Sequence, residues 1–229
     1  MNESPSPAPV LLRRDRTSGL AIVVGVIVSV AMMSHHPTGS GHAGAAGVAE
    51  AAHVAGLNRF VHGALIAASL VLAFGFQGFT AQLARPLARF ALLFYVAGTA
   101  AMVGAALVNG FVFPAVMERW GGRSDAEIEL ARVVLDWGWE LNQALAYLGI
   151  FTWAAAVAAW SFVLVRMPAD GPWPRIIGAV GLVGAPAFVA LFALGSLSAD
   201  VAGFGAFVFG HSLWNLAVGV LLLRARPGA

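Results

Sequence analysis

Several uninterrupted apolar stretches, each about 20 residues long, constrain the fold of this chain more than any other feature. A helix needs roughly 20 apolar residues to cross about 30 Å of hydrocarbon. Only internally hydrogen-bonded backbone is tolerated there, so the stretches predict helices. We therefore predict an all-α, polytopic membrane bundle of six transmembrane helices, at residues 18–34, 59–83, 88–113, 137–165, 176–197 and 204–223.

The segments between these stretches predict one transmembrane domain with short flanks. Residues 1–17 are rich in Pro and Ser and predict a disordered cytoplasmic tail, although a cleaved export signal is an alternative interpretation. Residues 18–226 form the predicted six-helix domain, with two longer loops, 35–58 and 114–136, on the same side of the membrane. A short helix is expected near 43–56, and Ser124-x-x-Glu127 is a capping-box pattern that predicts a helix from Asp125 into the fourth span.

The distribution of arginine predicts the orientation of the bundle. All 13 basic residues are Arg, because the chain contains no lysine. With the N-terminus inside, the inner segments carry nine of them: Arg13, Arg14, Arg16, Arg85, Arg89, Arg166, Arg175, Arg224 and Arg226. The remaining four are on the outer side: Arg59, Arg119, Arg123 and Arg132. This bias predicts cytoplasmic termini in a plasma membrane of the bacterial inner-membrane type.

Two missing residue types exclude several kinds of chemistry. The chain has no cysteine, which rules out disulfides, thiolate metal ligands and cysteine nucleophiles. The absence of lysine rules out Schiff-base chemistry and a P-loop. The net charge is only +2, so the sequence predicts no nucleic-acid partner.

All six histidines fall on the predicted outer side of the membrane. They are His35, His36, His42, His53, His62 and His211. Histidine is the commonest protein ligand for transition metals and titrates near neutral pH. This one-sided distribution, which includes a histidine-rich loop, predicts a metal, haem or proton site at the outer surface.

The few polar residues inside the spans predict a pocket at the same depth. At 1.5 Å rise per residue, most of them lie roughly 5–15 Å below the outer surface. His62 pairs with Asn58, and His211 with Asn215, at i,i+4 spacing, so each pair shares a helix face. The other members of this layer are Asn109, Glu140, Asn142 and Gln143. Buried ionisable groups in a bilayer are costly and usually functional, which predicts a pocket open to the outside.

The candidate metal ligands are the histidines and one acidic residue of the first outer loop. They are His62, His211, His53, Glu50, His35, His36 and His42. Glu140 is the candidate catalytic group, as base or ligand. The candidate cofactor-binding residues are Asn109, Gln143, Asn215 and Trp214. Structural alternatives are helix-packing roles for His62 and His211, a solvated loop for His35, His36 and His42, an ion pair of Glu140 with Arg59 or Arg132, and core packing for Trp214.

Three functions from different classes remain open on the sequence. The first is a membrane oxidoreductase that binds iron, copper or zinc and acts on a small or lipophilic substrate. In a variant of it, haem b lies between His62 and His211 and a quinone is the electron partner. The second is a non-catalytic subunit of a larger membrane complex. The third is a carrier for a small solute, metal ion or proton, which the scarcity of polar groups in the inner halves of the spans disfavours.

Overall fold

The computed structural model of the protein describes residues 12–37, 44–120, 123–167 and 171–225. The helices in these ranges are α1 (Arg16–Ser34), α2 (Gly44–His53), α3 (Ala55–Leu83), α4 (Pro86–Leu107), α5 (Phe113–Trp120), α6 (Asp125–Arg166), α7 (Trp173–Ala193) and α8 (Val201–Arg224). A π-helical segment, Val108–Val112, joins α4 to α5 without a break. His42 and residues 1–11, which include most of the predicted tail, lie outside the described residues.

Six helices in the described part of the chain are long and apolar enough to cross a membrane, as predicted. They are α1, α3, the continuous helix from Pro86 to Trp120, α6, α7 and α8. The largest difference in boundaries concerns the fourth span. Helix α6 has 42 residues and is therefore about 63 Å long, roughly twice the thickness of the hydrocarbon layer. Its start is the predicted capping box of Ser124 and Glu127.

The six spans pack in chain order around a ring. Each span contacts the next one along the chain, and α8 returns to contact α1, which closes the ring. At one end of this ring α1 ends while α3, α6 and α8 begin, and we call it the histidine end. The short helices α2 and α5 contact each other at this end. Successive spans therefore run in alternating directions, as expected for antiparallel neighbours with short connections.

Large aromatic side chains fill the half of the ring away from the histidine end. Phe76, Phe79, Tyr95 and Trp160 are fully buried there. The rings of Phe76 and Trp160 stack with centroids 4.8 Å apart, and the Trp160 indole N–H donates to Thr80 Oγ1 at 3.0 Å. Aromatic side chains therefore occupy the interior of this half. Two hydroxyls buried there, those of Tyr95 and Ser161, have no hydrogen-bond partner among the described residues.

Three polar side chains of α3 that a transport path could use lie in this half, at Gln77, Thr80 and Gln82. Thr80 accepts from the Trp160 indole, and Gln82 Oε1 accepts from the backbone N–H of Arg13 at 2.9 Å. Gln77, the third polar residue of this stretch, is exposed on the outside of the bundle. Thr80 and Gln82 are thus hydrogen-bonded within the described residues and Gln77 faces outward, so these three side chains do not favour a polar route through this half.

Candidate functional site

A cavity of about 140 Å³ opens inside the ring at the histidine end. Residues on or next to α1, α3, α4, the π-helical segment, α6 and α8 line it, and most of the lining is apolar. The polar residues of the lining are Ser29, His36, His62, Ser69, Asn109, Asn142, Gln143, Asp200, His211, Ser212 and Asn215. His62 and His211 therefore line one cavity. A mostly apolar cavity with a few convergent polar groups is typical of a binding site.

The π-helical segment shapes the wall of the cavity beside His62. A π turn adds a residue to an α-helix, disturbs the regular hydrogen-bond ladder and often occurs at functional sites. Here the Asn58 amide Nδ2 donates to the Asn109 carbonyl oxygen at 2.9 Å. This bond ties the segment to α3 one turn before His62.

Gly110, the middle residue of the π-helical segment, provides the space that His62 occupies. A Cβ atom at position 110 would lie 2.5 Å from His62 Cγ and 3.1 Å from His62 Nδ1, and still closer to His62 Cβ. Real Cβ atoms do not approach other heavy atoms that closely. Only glycine at this position allows the two helices to approach while His62 keeps its observed orientation.

His36 and His62 bring two imidazole nitrogens together at one side of the cavity. Their Nε2 atoms lie 3.4 Å apart, and the rings meet at 71° with centroids 4.9 Å apart. The Nδ1 atom of His62 lies 2.9 Å from the Asn58 carbonyl oxygen, and that of His36 lies 3.0 Å from the Pro37 carbonyl oxygen. Both contacts require a proton on Nδ1, which leaves a lone pair on each Nε2.

Burial affects the protonation of His36. His36 lies beyond the end of α1, and burial lowers the pKa of its imidazole below the ordinary value of 6.5. His36 is therefore neutral at physiological pH. A neutral imidazole with its Nδ1 proton held by a carbonyl is the form in which histidine binds metals.

His211, which also lines the cavity, lies within a stack of aromatic rings. Its ring is nearly parallel to those of Trp153 and Phe207, at centroid distances of 5.3 Å and 5.4 Å. Its Nε2 atom is buried and has no hydrogen-bond partner among the described residues, and the same is true of Oδ1 of Asn215, one turn further along α8. These two atoms are exceptions in a protein interior, where nearly all buried polar atoms are paired.

Other predicted site residues lie away from the cavity lining. His35 and His53 are exposed, and Nδ1 of His35 bonds to the Ala31 carbonyl oxygen at 2.8 Å. Glu50 is half-buried in α2, which is helical as expected, so Glu50 and His53 lie one turn apart. None of these three is among the residues that line the cavity.

Glu140 and Trp214, the candidate catalytic residue and one of the candidate cofactor-binding residues, also lie outside the cavity lining. Glu140 is exposed on α6 and is not part of the cavity lining. Its suggested partners are engaged elsewhere, because Arg59 forms a bidentate ion pair with Glu118 and Arg132 lies near Glu129 and Asp136. Trp214 is buried in the core, where its indole N–H donates to the Ile177 carbonyl oxygen at 3.1 Å.

The structure adds cavity residues that the sequence hypothesis did not single out. Ser29 and Ser212 line the cavity from α1 and α8, and Trp153 lines it from α6. Helical spacing could have indicated Trp153 as a cavity residue, since positions 142, 146 and 153 share one face of a helix. Serines carry no such signal, because hydroxyls are common in transmembrane helices.

Three or more His, Asp or Glu side chains do not come together as a metal-binding group anywhere in the described ranges. The His36 and His62 pair is thus the nearest approach to a metal site in that part of the chain. No family model matches this sequence, and the searches of curated proteins and of solved structures also give no match. Residues and geometry alone therefore carry the functional argument.

Proposed function

We propose that this protein is an integral membrane metalloprotein in which His36 and His62 bind a first-row transition-metal ion beside the cavity. The observation that carries the proposal is the 3.4 Å separation of the two Nε2 atoms. Metal–imidazole bonds of about 2.0–2.1 Å that meet at a tetrahedral angle separate the two nitrogens by about 3.3–3.4 Å. The pair therefore has the spacing that one tetrahedral ion requires.

A hydrogen bond between the two imidazoles explains the geometry less well. The separation exceeds the usual range of about 2.7–3.2 Å for a nitrogen donor. One ring would also have to move its proton from Nδ1 to Nε2, and would then face a carbonyl oxygen with a lone pair. A metal ion satisfies both Nε2 lone pairs and leaves the bonds to Asn58 and Pro37 intact.

The donor set favours zinc, copper or iron over magnesium and calcium, since the latter prefer oxygen ligands. Two protein ligands leave coordination positions for water or for a molecule in the cavity. Such an ion would supply Lewis-acid chemistry there, and iron or copper would also supply redox chemistry. This supports the oxidoreductase hypothesis in its metal-ion form, with a small or lipophilic substrate, rather than transport, because the other half of the ring is packed with aromatic side chains.

The haem variant fits the cavity poorly. An axial haem ligand must present a free Nε2 to the iron with space for the macrocycle around it. Here the Nε2 of His62 faces the imidazole of His36 at 3.4 Å, which leaves no space for a macrocycle between them. We therefore derive no chemistry through haem.

Metal titration of four histidine variants tests the proposal. The full-length protein is purified without a metal-affinity tag, stripped with a chelator and titrated with Zn²⁺ and Co²⁺ under equilibrium dialysis. We expect one ion per chain in the wild type and in His35→Ala and His53→Ala, whose side chains are exposed nearby. We expect His36→Ala and His62→Ala to lose that ion, and the Co²⁺ spectrum of the wild type to be tetrahedral.

His211→Ala separates this proposal from a site shared by His62 and His211. Retention of the ion in His211→Ala supports the His36 and His62 pair, whereas its loss would assign His211 to the coordination shell. A wild type that binds no ion, or equal binding by all variants, would overturn the proposal. Size-exclusion profiles of each variant show whether a loss of binding reflects a loss of folding.

A further inference from the structure

The cavity contains buried polar groups that no part of the described chain satisfies. Asn142, Ser212 and Asn215 are exposed by only 7%, 5% and 1%, and all three line the cavity. None of these side chains has a hydrogen-bond partner among the described residues, and Oδ1 of Asn215 and Nε2 of His211 are completely enclosed as well. Unpaired polar groups are unfavourable in a membrane interior, where bulk water is absent.

The charge of the lining defines what kind of molecule could satisfy them. The described residues of the cavity wall include no arginine, and the chain has no lysine, so in the metal-free protein no cation there would pair with a phosphate or carboxylate. The one acidic residue of the described lining, Asp200, is already used at the start of α8, where it accepts hydrogen bonds from Gly203 N at 2.8 Å and from Ser198. The metal-free cavity therefore favours a neutral ligand.

The size and walls of the cavity define the shape of that ligand. Its volume of about 140 Å³ is close to that of an engineered cavity of about 150 Å³ that binds benzene. Parallel aromatic rings of Trp153 and His211 form one wall. Leu65, Ile66 and Val208 contribute apolar surface to the lining. A single six-membered ring matches this space.

We propose that the cavity binds a neutral, ring-sized molecule with hydroxyl groups, of the phenol or hydroquinone class. The Asn142 and Asn215 amides and the Ser212 hydroxyl can each donate and accept, as such hydroxyls do. This inference goes beyond the proposed metal site, because none of these three residues is a metal ligand there. A free phenol and the headgroup of a membrane quinol share this chemistry.

Binding measurements with three probes of similar size test this inference. Chelator-treated full-length protein in lipid nanodiscs is dialysed to equilibrium against hydroquinone, toluene or benzoate, with empty nanodiscs as the blank. We expect saturable binding of hydroquinone, at least tenfold tighter than that of toluene, which lacks the hydroxyls, and of benzoate, which is charged. A hydroquinone with a decyl chain distinguishes the two sources, since tighter binding than free hydroquinone indicates a membrane quinol.

Matched variants locate the binding groups. Asn215→Leu and Asn142→Leu replace the amide with an apolar group of the same branching and should each weaken hydroquinone binding at least tenfold. Ser69→Ala is the control, because Ser69 lines the same cavity but its hydroxyl donates to the Leu65 carbonyl oxygen at 2.8 Å. Ser212→Ala provides a smaller change if either leucine variant fails to give a monodisperse protein.

The outcomes distinguish this inference from the metal proposal. The His36→Ala variant should bind hydroquinone as the wild type does, even though it is expected to lose the metal ion. Toluene binding as tight as hydroquinone binding, or unchanged hydroquinone binding in both leucine variants, would overturn the inference and leave the metal site unaffected. Absence of saturable hydroquinone binding would overturn it as well.

Discussion

Replacing Gly110 with alanine should displace His62 and damage both the packing and the proposed metal site. The added methyl group would lie 2.5 Å from His62 Cγ and closer still to His62 Cβ. Ordinary contact begins at 3.4 Å, so relief at Cγ alone needs a movement of about 0.9 Å. The conflicting atoms are next to the backbone of α3, which means that a change of rotamer cannot relieve the clash.

The expected magnitude follows from this displacement. Overpacking in a well-packed interior costs about 1–3 kcal/mol. For a chain of this size, that lowers the denaturation midpoint by roughly 2–12 °C. Metal–ligand distances tolerate deviations of only about 0.2 Å, so a shift near 1 Å removes His62 as an effective ligand. We therefore expect metal affinity to fall at least tenfold.

Thermal denaturation and Zn²⁺ titration of Gly110→Ala measure both effects. The matched control is Gly63→Ala on α3, directly after His62, because a Cβ there meets only Phe111 Cζ at an ordinary 3.7 Å. The control should resemble the wild type in both assays. A Gly110→Ala protein as stable as the control, with the same Zn²⁺ affinity, would refute the argument that Gly110 determines the position of His62.

Two further predictions concern the hydrogen bonds that hold the ends of the site-forming helices. Asp15→Ala removes the N-cap of α1, where Asp15 Oδ1 accepts from Ser18 N at 2.9 Å. In denaturation experiments it should lower the free energy of unfolding by about 0.5–2 kcal/mol, whereas Asp15→Asn should be close to the wild type. Burial raises the pKa of Asp15, but hydrogen bonds from Ser18 and Gln82 hold it below 3.8, so the ionised carboxylate adds stability above pH 3.8 that is lost as the pH falls through the pKa of the folded protein. The Asp15→Ala deficit should therefore shrink at acidic pH without vanishing, because the protonated carboxyl still accepts through its carbonyl oxygen; a deficit that grows as the pH falls would contradict this. Asn58→Ala leaves the Asn109 carbonyl oxygen without its side-chain donor and should lower the free energy of unfolding by about 0.5–1.5 kcal/mol. Equal stability of the variant and the wild type would show that this hydrogen bond is unimportant.

The membrane-spanning helices were predictable because their signal is local. Length and apolar composition alone mark a span, and all six predicted spans correspond to helices of the structure. Apolar composition alone places the start of the fourth span near 137, but the capping box at Ser124 predicts a helix from Asp125, and α6 starts there.

The sequence predicted that the candidate site residues lie at one level of the bundle, but not which of their side chains meet. Counting residues from the predicted surface places His62 and His211 at similar levels, and both line the cavity. The partner of the His62 Nε2 is His36, which the sequence placed among several loop histidines without distinction. Likewise, Glu140 and Gln143 lie three residues apart on one side of α6, yet Glu140 is exposed while Gln143 lines the cavity, because spacing along a helix does not reveal which edge of a helix face turns inward.

The sequence by itself determined the number of helices long and apolar enough to span a membrane, and it placed the histidines of the described residues at one end of the bundle, because both depend only on composition along the chain. The tertiary structure alone decided which side chains meet. The π-helical segment, the space that Gly110 leaves for His62 and the unpaired amides of Asn142 and Asn215 all arise where separate helices come into contact. In hydrocarbon every span is apolar on most of its surface, so the sequence contains little information on which face packs inward. Packing between the six helices supplies that information, and with it the candidate site.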